Sequence, residues 1–216
     1  MATVHTFGDS ILDCGRYNDH GVTPAGLLAR NDDALFPAFH RRDLETILGH
    51  PVQVVARATD GATVADLPRQ LRGHRPPAGA ITLLTIGGND LLQGQHTDGS
   101  TLLRQFATAL REALTQVAHT QLFVGNVYDP SFGHDERNFL DIDPAVARRA
   151  HAAVNDILAS ETARVGGTLV DLHAHFLGGD ETWFTRTIEP SLTGASEVRR
   201  AFLAAWEASR GAAASS

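Results

Sequence analysis

Residues 3–10 read TVHTFGDS, a short apolar-rich run that ends in a glycine and two polar residues. Four further runs rich in Val, Ile, Leu or Phe lie at residues 52–56, 81–86, 122–126 and 168–172, and several lead directly into Gly, Asn or Asp. Brief apolar runs bounded by turn residues are typical of buried β-strands. The opening stretch therefore predicts a first strand at residues 3–7 and a loop behind it that carries Ser10.

Longer amphipathic segments alternate with these runs. Apolar residues recur at helical spacing over 64–71 and 102–117, Asp143-Pro144 is a strong start signal for a helix to about residue 164, and a last helix spans about 193–209. Glu197, Arg199 and Arg200 are expected on the solvated face of that last helix. Strands that alternate with helices predict an α/β fold, a three-layer αβα sandwich with a parallel sheet of about five strands. No linker or repeat divides the chain, so we expect one domain over residues 1–210 and a flexible tail at 211–216.

Composition narrows the class of protein. The chain has 216 residues and a net charge of -7, which argues against a nucleic-acid partner. No apolar run approaches the roughly 18 residues of a membrane span, and the N-terminus lacks the pattern of a signal peptide, so we expect a cytoplasmic protein. The lone Cys14 forms no internal disulfide and is expected to be a small packing residue. The oligomeric state is not indicated.

Polar and glycine residues follow four of the predicted strands. They are Gly8, Asp9 and Ser10; Thr59, Asp60 and Gly61; Gly87, Gly88, Asn89 and Asp90; and Asp171, His173 and His175. Ligands of open parallel sheets bind at the carboxyl ends of the strands. A hydroxyl, a glycine N–H and an amide side chain at one such edge are what acyl transfer requires, because the hydroxyl attacks and the N–H donors hold the oxyanion.

Three of these stretches resemble the sequence blocks of the GDSL/SGNH hydrolases, a family of esterases and lipases. Residues 7–10 are similar to the first block, which implies that Ser10 is the nucleophile. Residues 60–67 and 87–90 are similar to the second and third blocks, which implies that the Gly61 N–H and the Asn89 amide belong to an oxyanion hole. The resemblance runs from residue 4 to about 205. It implies an SGNH-hydrolase or flavodoxin-like fold and a serine hydrolase that cleaves a small carboxylic ester through an acyl-enzyme, with no cofactor.

The chain departs from the family near its C-terminus. GDSL/SGNH hydrolases usually place an Asp and a His three residues apart, followed by Pro, before the last helix. If Pro190 matches that proline, Glu189 stands in place of the His and Arg186 in place of the Asp. Arginine is never a base, and a carboxylate activates a serine poorly unless burial raises its pKa.

A histidine elsewhere is one possible substitute for the missing base. Asp171, His173 and His175 alternate with apolar residues and are expected on one side of an extended chain. His175 lies furthest past the strand, so we predict that it serves as the general base, with Glu189 to orient or charge it. His20, in a long loop, is a weaker candidate.

Other interpretations stay open. Ser10 could cap a helix, Gly61 could be a turn glycine and Asn89 an Asx-turn residue. Asp171, His173 and His175 could be metal ligands at alternate strand positions. The missing Asp–His pair also fits an inactive SGNH-fold protein that binds an ester, sugar or peptide, and the same site could serve an acyltransferase.

Overall fold

The computed structural model describes residues 1–94, 99–140 and 142–214. Its centre is a parallel sheet of five strands in the order β2-β1-β3-β4-β5. The strands are β1 (Ala2–Gly8), β2 (Val52–Ala56), β3 (Ile81–Thr85), β4 (Gln121–Gly125) and β5 (Thr168–Val170). The strand order reverses between β1 and β3, and the crevice above such a reversal is where doubly wound sheets bind ligands. Ser10 lies directly behind β1, beside this crevice.

Helices cover both faces of the sheet, which confirms the predicted three-layer α/β fold. They are α1 (Pro24–Ala29), α2 (Leu44–Leu48), α3 (Leu67–Leu71), α4 (Gly88–Leu92), α5 (Gly99–Val117), α6 (Pro144–Arg164), α7 (Leu172–Leu177) and α8 (Leu192–Ala214). The predicted start of α6 is confirmed, since the Asp143 side chain accepts hydrogen bonds from the N–H groups of Ala145 and Val146. No helix within the described ranges is long and apolar enough to cross a membrane.

Successive side chains of a strand point to opposite faces of the sheet, so a hydrophobic core forms on each face. Ile81 and Leu83 pack with residues of α1 and α8, whereas Leu84 and Ile86 pack with residues of α3, α5 and α6 on the opposite face. All five residues of β3 are buried, as expected for a central strand covered on both faces. The buried sheet holds the loops at its carboxyl edge in fixed positions.

Two segments differ from the sequence-based predictions. The chain does not stay extended after β5, because the Asp171 side chain accepts a hydrogen bond from the Ala174 N–H and starts α7. The predicted tail at 211–216 is helical as far as Ala214, and residues 215 and 216 lie outside the described residues.

Between α7 and α8 the chain forms a small antiparallel hairpin of β6 (Phe184–Thr185) and β7 (Glu189–Pro190). Two non-glycine residues at its tip, Arg186 and Thr187, have positive φ angles of 47° and 75°. This hairpin carries the stretch in which the chain departs from the family pattern.

Candidate active site

The turn behind β1 fixes the position of Ser10. Gly8 has a φ of +110°, and a Cβ added there would lie 1.7 Å from the Thr85 carbonyl oxygen of β3, so only glycine fits. Asp9 also lies close to β3, because its N–H donates to the same Thr85 carbonyl at 3.0 Å. Ser10 follows at the carboxyl edge of the sheet, largely buried but on the wall of a cavity.

The Asp9 side chain is buried and makes its hydrogen bonds within the protein. Its Oδ1 accepts hydrogen bonds from the Thr85 hydroxyl at 2.7 Å and from the Ile11 N–H at 3.2 Å. Burial raises the pKa of Asp9 to about 7, although these two hydrogen bonds oppose the rise. Asp9 therefore braces the turn that presents Ser10.

Three N–H groups are the candidates for the predicted oxyanion hole. The N–H groups of Ser10 and Gly61 make no hydrogen bond within the described part of the chain. The Asn89 side chain donates one N–H to the Ala62 carbonyl at 3.0 Å and so ties α4 to the loop of Gly61. Its second N–H makes no hydrogen bond within the described residues. Ser10 and Asn89 line the same cavity, whereas Gly61 is not among the lining residues. Their assignment to an oxyanion hole stays a prediction.

The cavity beside Ser10 has a volume of about 470 Å³. Its lining includes the apolar residues Ile11, Leu91, Leu92, Phe139, Leu140, Ile142 and Ile188. It also includes the polar residues Asn126, Asp129, Asp156, His151 and His173. Such a space is large enough for a small organic molecule.

The Glu189 carboxylate lies near the Ser10 hydroxyl, close enough for the hydroxyl to act on its pKa. It approaches Ser10 from β7, where Glu189 pairs with Thr185 of β6. Burial is the main reason that the pKa of Glu189 lies above its ordinary value; the charge of Asp60 adds to the rise, while Ser10 and Arg186 oppose it. Within the described residues its Oε2 atom is buried and has no hydrogen-bond partner.

Within the described residues Arg186 makes no hydrogen bond or ion pair with a histidine. Its guanidinium lies 5.1 Å from the centre of the Tyr17 ring. The Tyr17 hydroxyl in turn donates to Asp60 at 2.7 Å, and Arg16 contacts the same carboxylate at 2.9 Å. The residue that replaces the family's Asp thus belongs to a polar cluster beside Glu189.

The structure does not bring His175 to Ser10. His175 lies on α7, its Nε2 contacts the Glu197 carboxylate of α8 at 3.0 Å, and its ring packs against Trp183. It is not among the residues that line the cavity. The prediction of His175 as the base oriented by Glu189 is therefore wrong in its geometry, because Asp171 starts a helix where an extended chain was expected and the carboxylate partner of His175 is Glu197.

The remaining sequence candidates have separate surroundings. Asp171 accepts a hydrogen bond from Asn126 at 2.8 Å, His173 lines the cavity, and His20 is exposed in its loop. Among the described residues no group of three or more His, Cys, Asp or Glu side chains could hold a metal ion.

Sequence reasoning missed His151, which lines the cavity from α6. Its ring meets that of His173 edge-on at 4.9 Å, and its Nε2 contacts the Val127 carbonyl at 2.8 Å. Burial is the main cause of its lowered pKa, with the neighbouring His173 contributing. Because His151 lies inside a long helix without a motif, only the fold reveals that it faces the cavity.

A serine hydroxyl on a cavity wall at the carboxyl edge of a parallel sheet, with a carboxylate nearby, is the kind of site that α/β hydrolases use. Residues 6–195 match the model of the GDSL-like Lipase/Acylhydrolase family. The chain belongs to this family, as its three sequence blocks predicted.

Solved structures with the same fold include several hydrolases. An α/β hydrolase enzyme from the metagenome of Lake Arreo is 21% identical, with 94% of each chain covered and a TM-score of 0.65. An acetylxylan esterase from Geobacillus stearothermophilus is 18% identical over 94% of this chain and 93% of its own, with a TM-score of 0.63. An extracellular lipase from Streptomyces rimosus is 16% identical over 95% of this chain and 100% of its own, with a TM-score of 0.64. No curated protein matches the sequence.

Proposed function

We propose that the protein hydrolyses a small carboxylic ester through an acyl-enzyme formed on Ser10. The observation that carries the proposal is the Ser10 hydroxyl on the wall of a cavity that Asn89 also lines. The Ser10 N–H makes no hydrogen bond in the part of the chain that the structure describes. Family membership and the names of the structural neighbours support an ester as the substrate class.

The reaction proceeds in two steps. The Ser10 Oγ adds to the ester carbonyl carbon, and the N–H groups of Ser10 and Gly61 together with the Asn89 amide receive the negative charge on the carbonyl oxygen. The tetrahedral intermediate then collapses, the alcohol leaves and the acyl group stays on Ser10. Water adds to the acyl carbon in the same way and releases the acid. The mechanism needs no cofactor.

The cavity supports a substrate of limited size. A volume of about 470 Å³ is in the range of pockets that bind small organic molecules. Its apolar lining residues, among them Leu91, Leu92 and Ile142, suit the hydrocarbon part of an ester. We therefore expect short-chain esters to be better substrates than long-chain lipids.

Labelling with a fluorophosphonate tests the nucleophile directly. The probe is expected to modify Ser10, the modified peptide to be identified by mass spectrometry, and Ser10→Ala to abolish both labelling and hydrolysis of a p-nitrophenyl ester. A folded wild-type protein that the probe does not modify would show that the chain is a binding protein and not a hydrolase.

Removal of the Asn89 amide tests the oxyanion hole. We expect Asn89→Ala to lower kcat by roughly a hundredfold or more, since one such donor is commonly worth that much. Gln116→Ala, which removes an exposed amide on α5, is the matched control and is expected to leave kcat unchanged. An unaltered kcat in a correctly folded Asn89→Ala variant would remove Asn89 from the mechanism.

A further inference from the structure

We infer that Glu189 itself is the general base, so that the site works with a serine–carboxylate pair and without an imidazole. The inference rests on the proposed ester hydrolysis and assigns the proton acceptor that the missing Asp–His pair leaves open. Ile188 lines the same cavity as Ser10, and the carboxylate of the next residue, Glu189, lies near the Ser10 hydroxyl. His175 is instead paired with Glu197.

The surrounding backbone holds Glu189 in place. The Tyr128 hydroxyl donates to the carbonyl of Ile188 at 2.6 Å, and the Ser191 N–H donates to the carbonyl of Trp183 at 3.0 Å. These bonds fix the chain on both sides of residue 189. A base must reach the proton that it takes, and such contacts are often long without substrate and tighten when it binds; Glu189 lies near Ser10.

One carboxylate oxygen remains available. Oε2 of Glu189 is buried without a hydrogen-bond partner among the described residues. A buried carboxylate normally has most of its acceptor positions filled, because an unpaired buried oxygen is unfavourable. An under-bonded carboxylate beside a nucleophile accepts a proton more readily than one held by several donors.

The groups around Glu189 carry little positive charge. The titratable side chains that interact with its charge are Asp9, Cys14, Tyr17, Asp60, Tyr128 and Arg186. Arg186 is the one cation among them, and its guanidinium lies over the Tyr17 ring. With burial, this environment raises the pKa of Glu189 and so makes the carboxylate a stronger base than an exposed glutamate.

The proton balance closes over the cycle. As the bond between Ser10 Oγ and the carbonyl carbon forms, the hydroxyl proton passes to Glu189. When the bond to the alcohol oxygen breaks, Glu189 returns that proton to the leaving alkoxide. In the second step Glu189 takes a proton from the attacking water and gives it to Ser10 Oγ as the acyl–serine bond breaks.

Variants at position 189 test the assignment. We expect Glu189→Gln to lower both kcat and the rate of fluorophosphonate labelling by about 100- to 10,000-fold, the usual effect of removing a general base. Glu181→Gln, the same substitution at an exposed site in the same segment, is the matched control and is expected to keep the wild-type rate. Circular dichroism and urea unfolding check that each variant folds.

The pH profile separates a catalytic role from a structural one. Glu189→His is expected to recover part of the rate and to move the acid limb of kcat/KM to the imidazole range, around pH 6.5. Arg186→Asp/Glu189→His, which rebuilds the family's Asp–His spacing, is expected to recover more. Glu189→Asp is expected to keep an acid limb but to lose rate, because its carboxylate lies one methylene further from Ser10.

The outcomes distinguish this inference from the proposed function. If Glu189→Gln labels and turns over at the wild-type rate, Glu189 is not the base, while Ser10 remains the nucleophile. If Glu189→Gln does not fold, an unchanged acid limb in Glu189→His and an unchanged rate in Glu189→Asp overturn the assignment instead. A wild-type protein that is neither labelled nor active overturns both proposals.

Discussion

Asp9 directly precedes the proposed nucleophile Ser10 in the sequence. Its carboxyl group stabilises the turn behind β1 through hydrogen bonds with Thr85 and Ile11. Its pKa rises from 3.8 to about 7 mainly because the side chain is buried. The folded protein therefore binds a proton at Asp9 over a pH range in which the unfolded chain has lost it. Linkage then requires that the contribution of Asp9 to stability decreases as the pH rises through that window.

This decrease in stability with rising pH leads to a prediction for Asp9→Asn. The asparagine carries no charge at any pH, and its Oδ1 can still accept from Thr85 and Ile11. Relative to wild type, the free energy of unfolding of the variant is expected to increase between pH 5 and pH 8, by on the order of a few kcal/mol. Urea unfolding at both pH values measures the difference. Asp19→Asn, at an exposed site, is the control; an offset for Asp9→Asn that is the same at both pH values would contradict the prediction.

At the scale of residues, the predictable part of the site consists of the positions that local backbone geometry determines. Gly8 is required by the approach to Thr85, and Asn89 follows β3 on a short helix, so their places follow from the strand–turn pattern. The approach of Glu189 to Ser10 joins residues 179 positions apart in sequence and depends on how the hairpin of β6 and β7 lies against Tyr128. No local pattern encodes that arrangement.

At the scale of elements, α8 anchors the long connection between β1 and β2. Arg199 of α8 has no exposed surface, donates to Asn31 at 2.9 Å and places its guanidinium 3.4 Å from the centre of the Phe39 ring. The sequence predicts a solvated position for Arg199, because arginine is rarely fully buried. Among the described residues Arg199 has no carboxylate within ion-pair distance. Its burial in contact with Asn31 and an aromatic ring is a tertiary feature that helical periodicity does not reveal.

Arg199→Ala is expected to destabilise the protein. It removes buried packing and leaves the Asn31 oxygen without its donor, which together cost about 2–4 kcal/mol. Urea unfolding measures the loss. Arg69→Ala, whose ion pair with Asp66 is exposed, is the control and is expected to change stability by less than about 1 kcal/mol. Equal effects of the two substitutions would show that the buried guanidinium contributes no more than a surface one.

The sequence pattern after β5 predicts an extended chain, whereas the structure has helix α7 there, and the difference has a physical reason. Residues 171–176 alternate polar and apolar, as a strand would. The Asp171 side chain nevertheless caps the Ala174 N–H, and Leu172 and Phe176, four residues apart, bury the same face of α7. A six-residue segment satisfies both periods, and the cap decides between them.

At the scale of the whole molecule, charge bears on the choice of substrate. The chain has a net charge of -7. Among the described residues the cavity beside Ser10 is lined by one guanidinium, that of Arg148, and by five carboxyl groups, those of Asp9, Asp129, Asp135, Asp156 and Asp171. Arg148 is already paired, since it contacts Asp135 and the Gly133 carbonyl. The field in the cavity is therefore negative and opposes the entry of anions.

We accordingly expect esters of neutral acids to be preferred over esters that carry a free carboxylate. The comparison is between p-nitrophenyl hemisuccinate and its methyl ester, which have similar size and the same leaving group. At low ionic strength kcat/KM is expected to be on the order of tenfold higher for the neutral ester, because like charges within the cavity repel. Raising the salt from about 0.01 M to about 1 M shortens the Debye length from about 30 Å to about 3 Å, so the ratio should fall. A preference for the anionic ester, or a ratio that salt does not change, would show that the charge of the cavity does not select the substrate.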